Sequence, residues 1–108
     1  MILSPLPDLP AVSYIMPVLN EEEFLEAAVR TILAQDYVGE KEIVLALGPS
    51  KDLSNTIAAR LATEDPRVRL VDNPARDIPA GLNVAIAASR HPVVVRVDAH
   101  SELTPDYT

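Results

Sequence analysis

The sequence predicts an α/β fold in which a parallel, Rossmann-like sheet carries helices on both faces. Four short β-favouring runs, from Val12 to Met16, Ile43 to Leu47, Val68 to Val71 and Val93 to Val97, are separated by segments of helical spacing. That order of strand and helix calls for right-handed crossovers and a parallel sheet. The second run, Ile43-Val44-Leu45-Ala46-Leu47, is apolar at every position, as suits a strand covered on both faces.

Residues 1–11 hold three prolines and read as an extended lead-in before a domain spanning 12–108. Pro17 is expected to end the first strand, because proline has no N–H for the sheet ladder. Asn20 with Glu23 three positions on reads as a capping box, and Glu21 and Glu22 add negative charge where a helix start favours it. The helix that follows places Leu25, Ala28, Val29, Ile32 and Leu33 on one stripe and turns Glu26 and Arg30 to water. After Gly48-Pro49, a second helix runs from about Asp52 or Ser54 to Thr63, burying Ile57, Ala58 and Leu61, until Asp65-Pro66 stops it. Asp72-Asn73-Pro74 is turn chemistry, and Pro79 opens an alanine-rich third helix to about Ser89. His91-Pro92 leads into the fourth strand, which is expected to be buried.

Composition bounds what such a domain does. With 108 residues there is room for one core. A hydrophobic share of 48% with 23% charged residues is globular rather than disordered. The net charge of −7 argues against a general nucleic-acid partner, since phosphate backbones attract basic surfaces. Absence of cysteine excludes disulfides, thiolate metal sites and a cysteine nucleophile, and is consistent with a cytoplasmic location. No apolar run approaches the roughly 20 residues of a membrane span, so a membrane would be reached only through further segments.

Open parallel sheets bind ligands beyond the carboxyl ends of their strands. The loops Pro17 to Glu22, Gly48 to Ser54, Asp72 to Ile78 and Asp98 to Glu102 therefore matter. Strand alternation sends Asp98 and His100 to the same side, where a carboxylate and an imidazole suit Mn²⁺ or a similar ion. The same two residues also fit a strand end followed by a turn. In the first loop, Asn20 and Glu21 are open to a ligand role, whereas Glu22 and Glu23 read as capping. Arg76 faces the same crevice from the third loop and can pair with a phosphate or stay solvated. His91 lies at the far end of the fourth strand and reads as structural.

The run Val12-Ser13-Tyr14-Ile15-Met16-Pro17-Val18-Leu19-Asn20-Glu21-Glu22 resembles the opening of inverting family-2 glycosyltransferases of GT-A fold. Gln35, the strand from Glu42 to Ala46, Asn73, Gly81-Leu82-Asn83 and Asp98-Ala99-His100 follow in that family's order. Asp98-Ala99-His100-Ser101-Glu102-Leu103 particularly resembles bacterial exopolysaccharide glycosyltransferases of the succinoglycan type. The resemblance implies the nucleotide-binding half of a GT-A fold. It assigns nucleotide-sugar contacts to Pro17, Asn20, Glu21 and Asp98 and the metal to Asp98 and His100, while Arg76 joins the candidate nucleotide-sugar contacts from its place in the third loop. Histidine in place of the family's second acid implies Mn²⁺ more than Mg²⁺.

The implied reaction moves a sugar from a nucleoside-diphosphate donor to a saccharide or lipid-linked acceptor in bacterial polysaccharide synthesis. Leu47-Gly48-Pro49-Ser50 replaces the acidic pair with which many relatives read the base. The family's general base comes from a segment expected beyond Thr108, so 12–108 reads as a truncated domain, inactive alone, whose last strand invites self-association. A non-catalytic nucleotide-binding module of the same fold is the alternative. An oxidoreductase domain is disfavoured, since no Gly-x-Gly-x-x-Gly turn follows the first strand.

Overall fold

The computed structural model describes residues 10–35, 39–74 and 78–98. Seven elements alternate along them: β1 (Val12–Val18), α1 (Leu25–Leu33), β2 (Lys41–Leu47), α2 (Ser54–Glu64), β3 (Val68–Asp72), α3 (Ile78–Ala88) and β4 (Val93–Arg96). The four strands form one parallel sheet in the order β3-β2-β1-β4. The predicted fold class and element order are those observed.

Alternation along the strands divides the core in two. Tyr14, Met16 and Val18 of β1 and Ile43 and Leu45 of β2 face α1 and α2, meeting Leu25, Val29, Ile32, Ala58 and Leu61. Ile15, Val44 and Ala46 face the other way, against Ala85 of α3. Removing each such aliphatic side chain from water is worth about 1.5–3 kcal/mol, which makes β1 and β2 the most heavily stabilised strands. The helical stripe fell where its spacing placed it, with Leu25, Ala28, Val29 and Ile32 buried. Its wet face does more than expected: Glu26 takes both Arg30 and Arg60, and Glu64 takes Arg60, so exposed ion pairs link α1 to α2. The Arg30 and Arg60 guanidiniums hold the Glu26 carboxyl below its ordinary range.

Three expectations are corrected. First, Pro17 does not end β1, which continues to Val18 in register with Leu47. The Ile15 carbonyl accepts from Val97 N–H and the Val18 carbonyl from Gly48 N–H, so odd residues of β1 point at β4 and even ones at β2. The missing N–H of Pro17 therefore stops only the β1–β4 ladder. Second, Asn20 and Glu23 form no capping box. Phe24 precedes α1 without a side-chain cap, and Asn20 sits in the left-handed region at φ 54° with its side chain turned to a neighbouring loop.

Third, β4 is not a buried strand. It is the edge of the described sheet, and Val93 and Val94 are 38% and 39% exposed, although Val95 and Val97 pack on the core. Three valines in a row, with a fourth after Arg96, indicate β propensity but not what covers each side. Among the described residues no helix is long and apolar enough to cross a membrane.

Candidate functional site

The chain moves outward from β1 to β2 and β3, then crosses by α3 to the other side of β1. The order reverses between β1 and β4, and at such a switch point two diverging loops leave a crevice at the strands' carboxyl ends. Pro17, by ending the rungs there, holds it open. Ile15 pairs with Arg96, and carrying that register two residues further sets Asp98 beside Pro17. The structure thus sets Asp98 beside Pro17, with Asn20 and Glu21 in the loop that follows β1. Arg76 and His100 lie outside the described residues. His91 sits at the opposite, amino-terminal end of β4, away from the crevice as expected.

One wall of the crevice is a clasp between the β1–α1 and β2–α2 loops. The amide of Asn20 donates to Ser50 Oγ at 2.9 Å, that of Glu21 to Ser54 Oγ at 2.6 Å, and that of Glu22 to Asp52 Oδ2 at 3.1 Å. In return Lys51 N–H donates to Asn20 Oδ1 at 2.7 Å. Three consecutive amides are thereby consumed, so this loop meets a ligand with carbonyls and side chains rather than with an N–H nest. Asp52 also receives Ser54 N–H at 2.9 Å. The Ser54 side chain, foremost, with the Ser54 and Glu22 amides, holds the Asp52 carboxyl below its ordinary range, keeping the acceptor ionised. This clasp explains why Asn20 tolerates φ 54°: asparagine bears the left-handed region better than most residues, and its side chain is bound there.

Below the clasp the packing is close. A Cβ on Gly48 would stand 3.1 Å from Leu19 Cδ1, so β2 ends directly against the first loop. A Cβ on Gly81 would stand 2.8 Å from Asn73 Nδ2 and 3.3 Å from Pro17 Cβ. Only glycine lets α3 come this near to the ends of β1 and β3. Asn73 is buried, and its N–H donates to the Leu47 carbonyl at 2.8 Å.

Asp98 forms the other wall. Arg96, two residues before it and on the same side, donates to Asp98 Oδ1 from Nη2 at 3.2 Å and Nε at 3.3 Å. Sequence reasoning passed over Arg96, Ser50, Asp52 and Ser54. The i, i+2 alternation that paired Asp98 with His100 reaches back equally to Arg96. Serine and aspartate at every second position of Ser50-Lys51-Asp52-Leu53-Ser54 were the signal for the clasp. Among the described residues no three acids or histidines gather to hold an ion. Asp98 is the described member of the carboxylate–imidazole pair, a donor set chemically suited to Mn²⁺.

The pattern of Glycosyl transferase family 2 matches residues 13–108. The chain belongs to that family. The succinoglycan biosynthesis protein ExoA of Rhizobium meliloti is 38% identical over 95 residues, which are 86% of this chain and 29% of ExoA. A solved mannosyltransferase, PcManGT from Pyrobaculum calidifontis in complex with GDP-Man and Mn²⁺, superposes with a TM-score of 0.78 at 29% identity, over 86% of this chain and 28% of its own. TarS 1–349 of S. aureus in complex with UDP superposes at 0.78 with 19% identity, over 88% of this chain and 29% of its own, a likeness of fold alone. The family-2 sheet described above is thus a GT-A, Rossmann-like fold, and the chain spans less than a third of each of these relatives.

Proposed function

We propose that this chain forms the donor-binding part of an inverting family-2 glycosyltransferase of bacterial polysaccharide synthesis. The observation that carries the reading is the switch point, where Pro17 near the end of β1 lies beside Asp98 after β4 and Asn20 and Glu21 follow in the next loop. The donor is a nucleoside-diphosphate sugar and the acceptor a saccharide or lipid-linked hydroxyl. The nucleoside lies against the β1–α1 loop, whose side chains and carbonyls the clasp presents, and Arg76 pairs with a phosphate. The acceptor oxygen attacks the anomeric carbon as the bond to the diphosphate breaks, its proton passing to a carboxylate from a segment beyond Thr108. Asp98 and His100 would hold a divalent ion, Mn²⁺ in preference to Mg²⁺, which when bound supplies positive charge to the departing diphosphate. Arg96 steadies Asp98 for this duty.

Calorimetric titration with UDP and GDP tests the reading. We expect saturable binding of at least one of them, strengthened by Mn²⁺, and no binding of either would overturn it. Because the base is assigned beyond Thr108, the 108 residues alone are expected to give no sugar transfer with any donor, and measurable turnover would refute that assignment. The open β4 edge, with Val93 and Val94 exposed, supports the accompanying proposal of self-association.

The clasp gives a second expected result. Ser54→Ala removes the acceptor of Glu21 N–H, and Asp52→Ala that of Glu22 N–H, so the first loop loses its hold on the nucleoside side. Loss of a hydrogen bond worth about 0.5–1.5 kcal/mol weakens nucleotide affinity roughly 3- to 10-fold. Ser54→Thr, which keeps the hydroxyl, restores it. Affinities equal to wild type in both alanine variants, with the melting temperature lowered, would make the clasp a matter of stability only.

A further inference from the structure

We propose that a cleft at the amino-terminal end of the sheet, opposite the donor crevice, binds a phosphate-bearing anion. The cleft has a volume of about 170 Å³ and is lined by Glu40, Lys41, Glu42, Pro66, Arg67, Arg69, Arg90 and His91. At about 30 Å³ per liquid water, that is space for roughly five or six waters, or a phosphate with a small substituent. A strand of seven residues separates the two ends of the sheet by roughly 20 Å, so this cleft is not part of the crevice.

Charge singles it out. Four permanent cations face two carboxylates in a chain whose net charge is −7. Arg67 is paired with Asp65, at 2.7 Å. Glu42 is already engaged three times, by Ser13 Oγ at 2.6 Å, Arg69 Nη1 at 2.8 Å and the backbone N–H of Arg90 at 2.8 Å. Lys41 Nζ donates to the carbonyls of Leu33 and Gln35, and its charge also acts on the Asp65 carboxylate. The Arg90 guanidinium adds a surplus: it is 65% exposed and no nearer than 3.9 Å to Glu42.

An anion seated here meets Arg90 and Arg67 at the rim, His91 beside them and the positive field of Lys41 and Arg69 behind. Glu40 on the rim opposes it, which favours a ligand that several forked donors bind at once, as they do a phosphate group. The phosphate belongs either to a small free ion or ester or to a lipid headgroup.

The test is titration of the 108-residue chain with inorganic phosphate and, separately, with phosphatidic acid vesicles against phosphatidylcholine vesicles. No nucleotide is present, so its outcome does not depend on the donor site. Arg90→Ala keeps the backbone N–H that Glu42 accepts, and so spares the fold. It is expected to weaken binding at least about tenfold. Arg30→Ala, an equal change of net charge on α1, should leave binding unchanged. Saturable binding of phosphate with this contrast supports a free anion, and binding confined to phosphatidic acid vesicles with the same contrast supports a lipid headgroup. Saturation by neither probe, or equal responses of the two variants, overturns the proposal.

Discussion

Replacing His100 by alanine is expected to abolish the gain in nucleotide affinity that Mn²⁺ confers, while His100→Asp keeps that gain and tolerates Mg²⁺ better. A diphosphate approaching this crevice meets Glu21, Glu22, Asp52 and Asp98, and Lys51 and Arg96 are few against them in a chain of net charge −7. Like charge repels it unless a cation intervenes. If Asp98 and His100 hold that cation, loss of the imidazole removes a direct ligand. It should cost at least the ~10–100-fold in metal affinity that loss of an outer-shell partner costs. Aspartate restores a ligand, and a harder one, hence the better use of Mg²⁺. His91→Ala, at the other end of β4, should not alter the metal response. Nucleotide titrations of the three variants with each ion decide this, and a full Mn²⁺ response in His100→Ala would return that residue to a turn.

The largest expected change in stability is at Glu42. Its side chain is 6% exposed and binds the Ser13 hydroxyl, the Arg69 guanidinium and the Arg90 amide, joining β1, β2, β3 and the turn before β4. Alanine there strands a buried hydroxyl and a half-buried guanidinium, and breaking a buried pair in this way costs about 3–5 kcal/mol. That is a large part of the roughly 5–15 kcal/mol by which a domain is stable. Glu42→Gln keeps the shape without the charge and should cost less.

Burial by itself would raise the Glu42 carboxyl, but the Ser13 hydroxyl, the Arg90 N–H and Arg69 outweigh it and hold the group below its ordinary 4.5. Because the folded pKa is depressed, this contribution is complete above pH 4.5 and is lost as the pH falls through the folded value. Urea unfolding of wild type should therefore weaken on acidification below about pH 4.5 by more than that of Glu42→Gln. Parallel pH profiles, or an alanine variant within about 1 kcal/mol of wild type, would show the network to be idle.

The sequence by itself determined the kind of protein this is. Periodicity placed all four strands and three helices, because helical stripes and β-favouring runs are properties of neighbouring residues along the chain. The order of those elements implied a parallel sheet, and the resemblance carried by Pro17, Asn20, Glu21 and Asp98 named the family to which the chain belongs. What only the tertiary structure decided depends on residues distant in sequence. Strand order put the switch point between β1 and β4, left Val93 and Val94 exposed, and made Pro17 the end of one ladder rather than of the strand. Asn20 lost its capping box because Lys51 N–H, thirty-one residues on, binds its side chain at 2.7 Å. Asp52 and Ser54 read as candidate starts of the second helix, and Ser50 as a loop residue, until folding set them against three amides of the first loop. A local motif states what a side chain can do, and the fold decides which of its partners arrives.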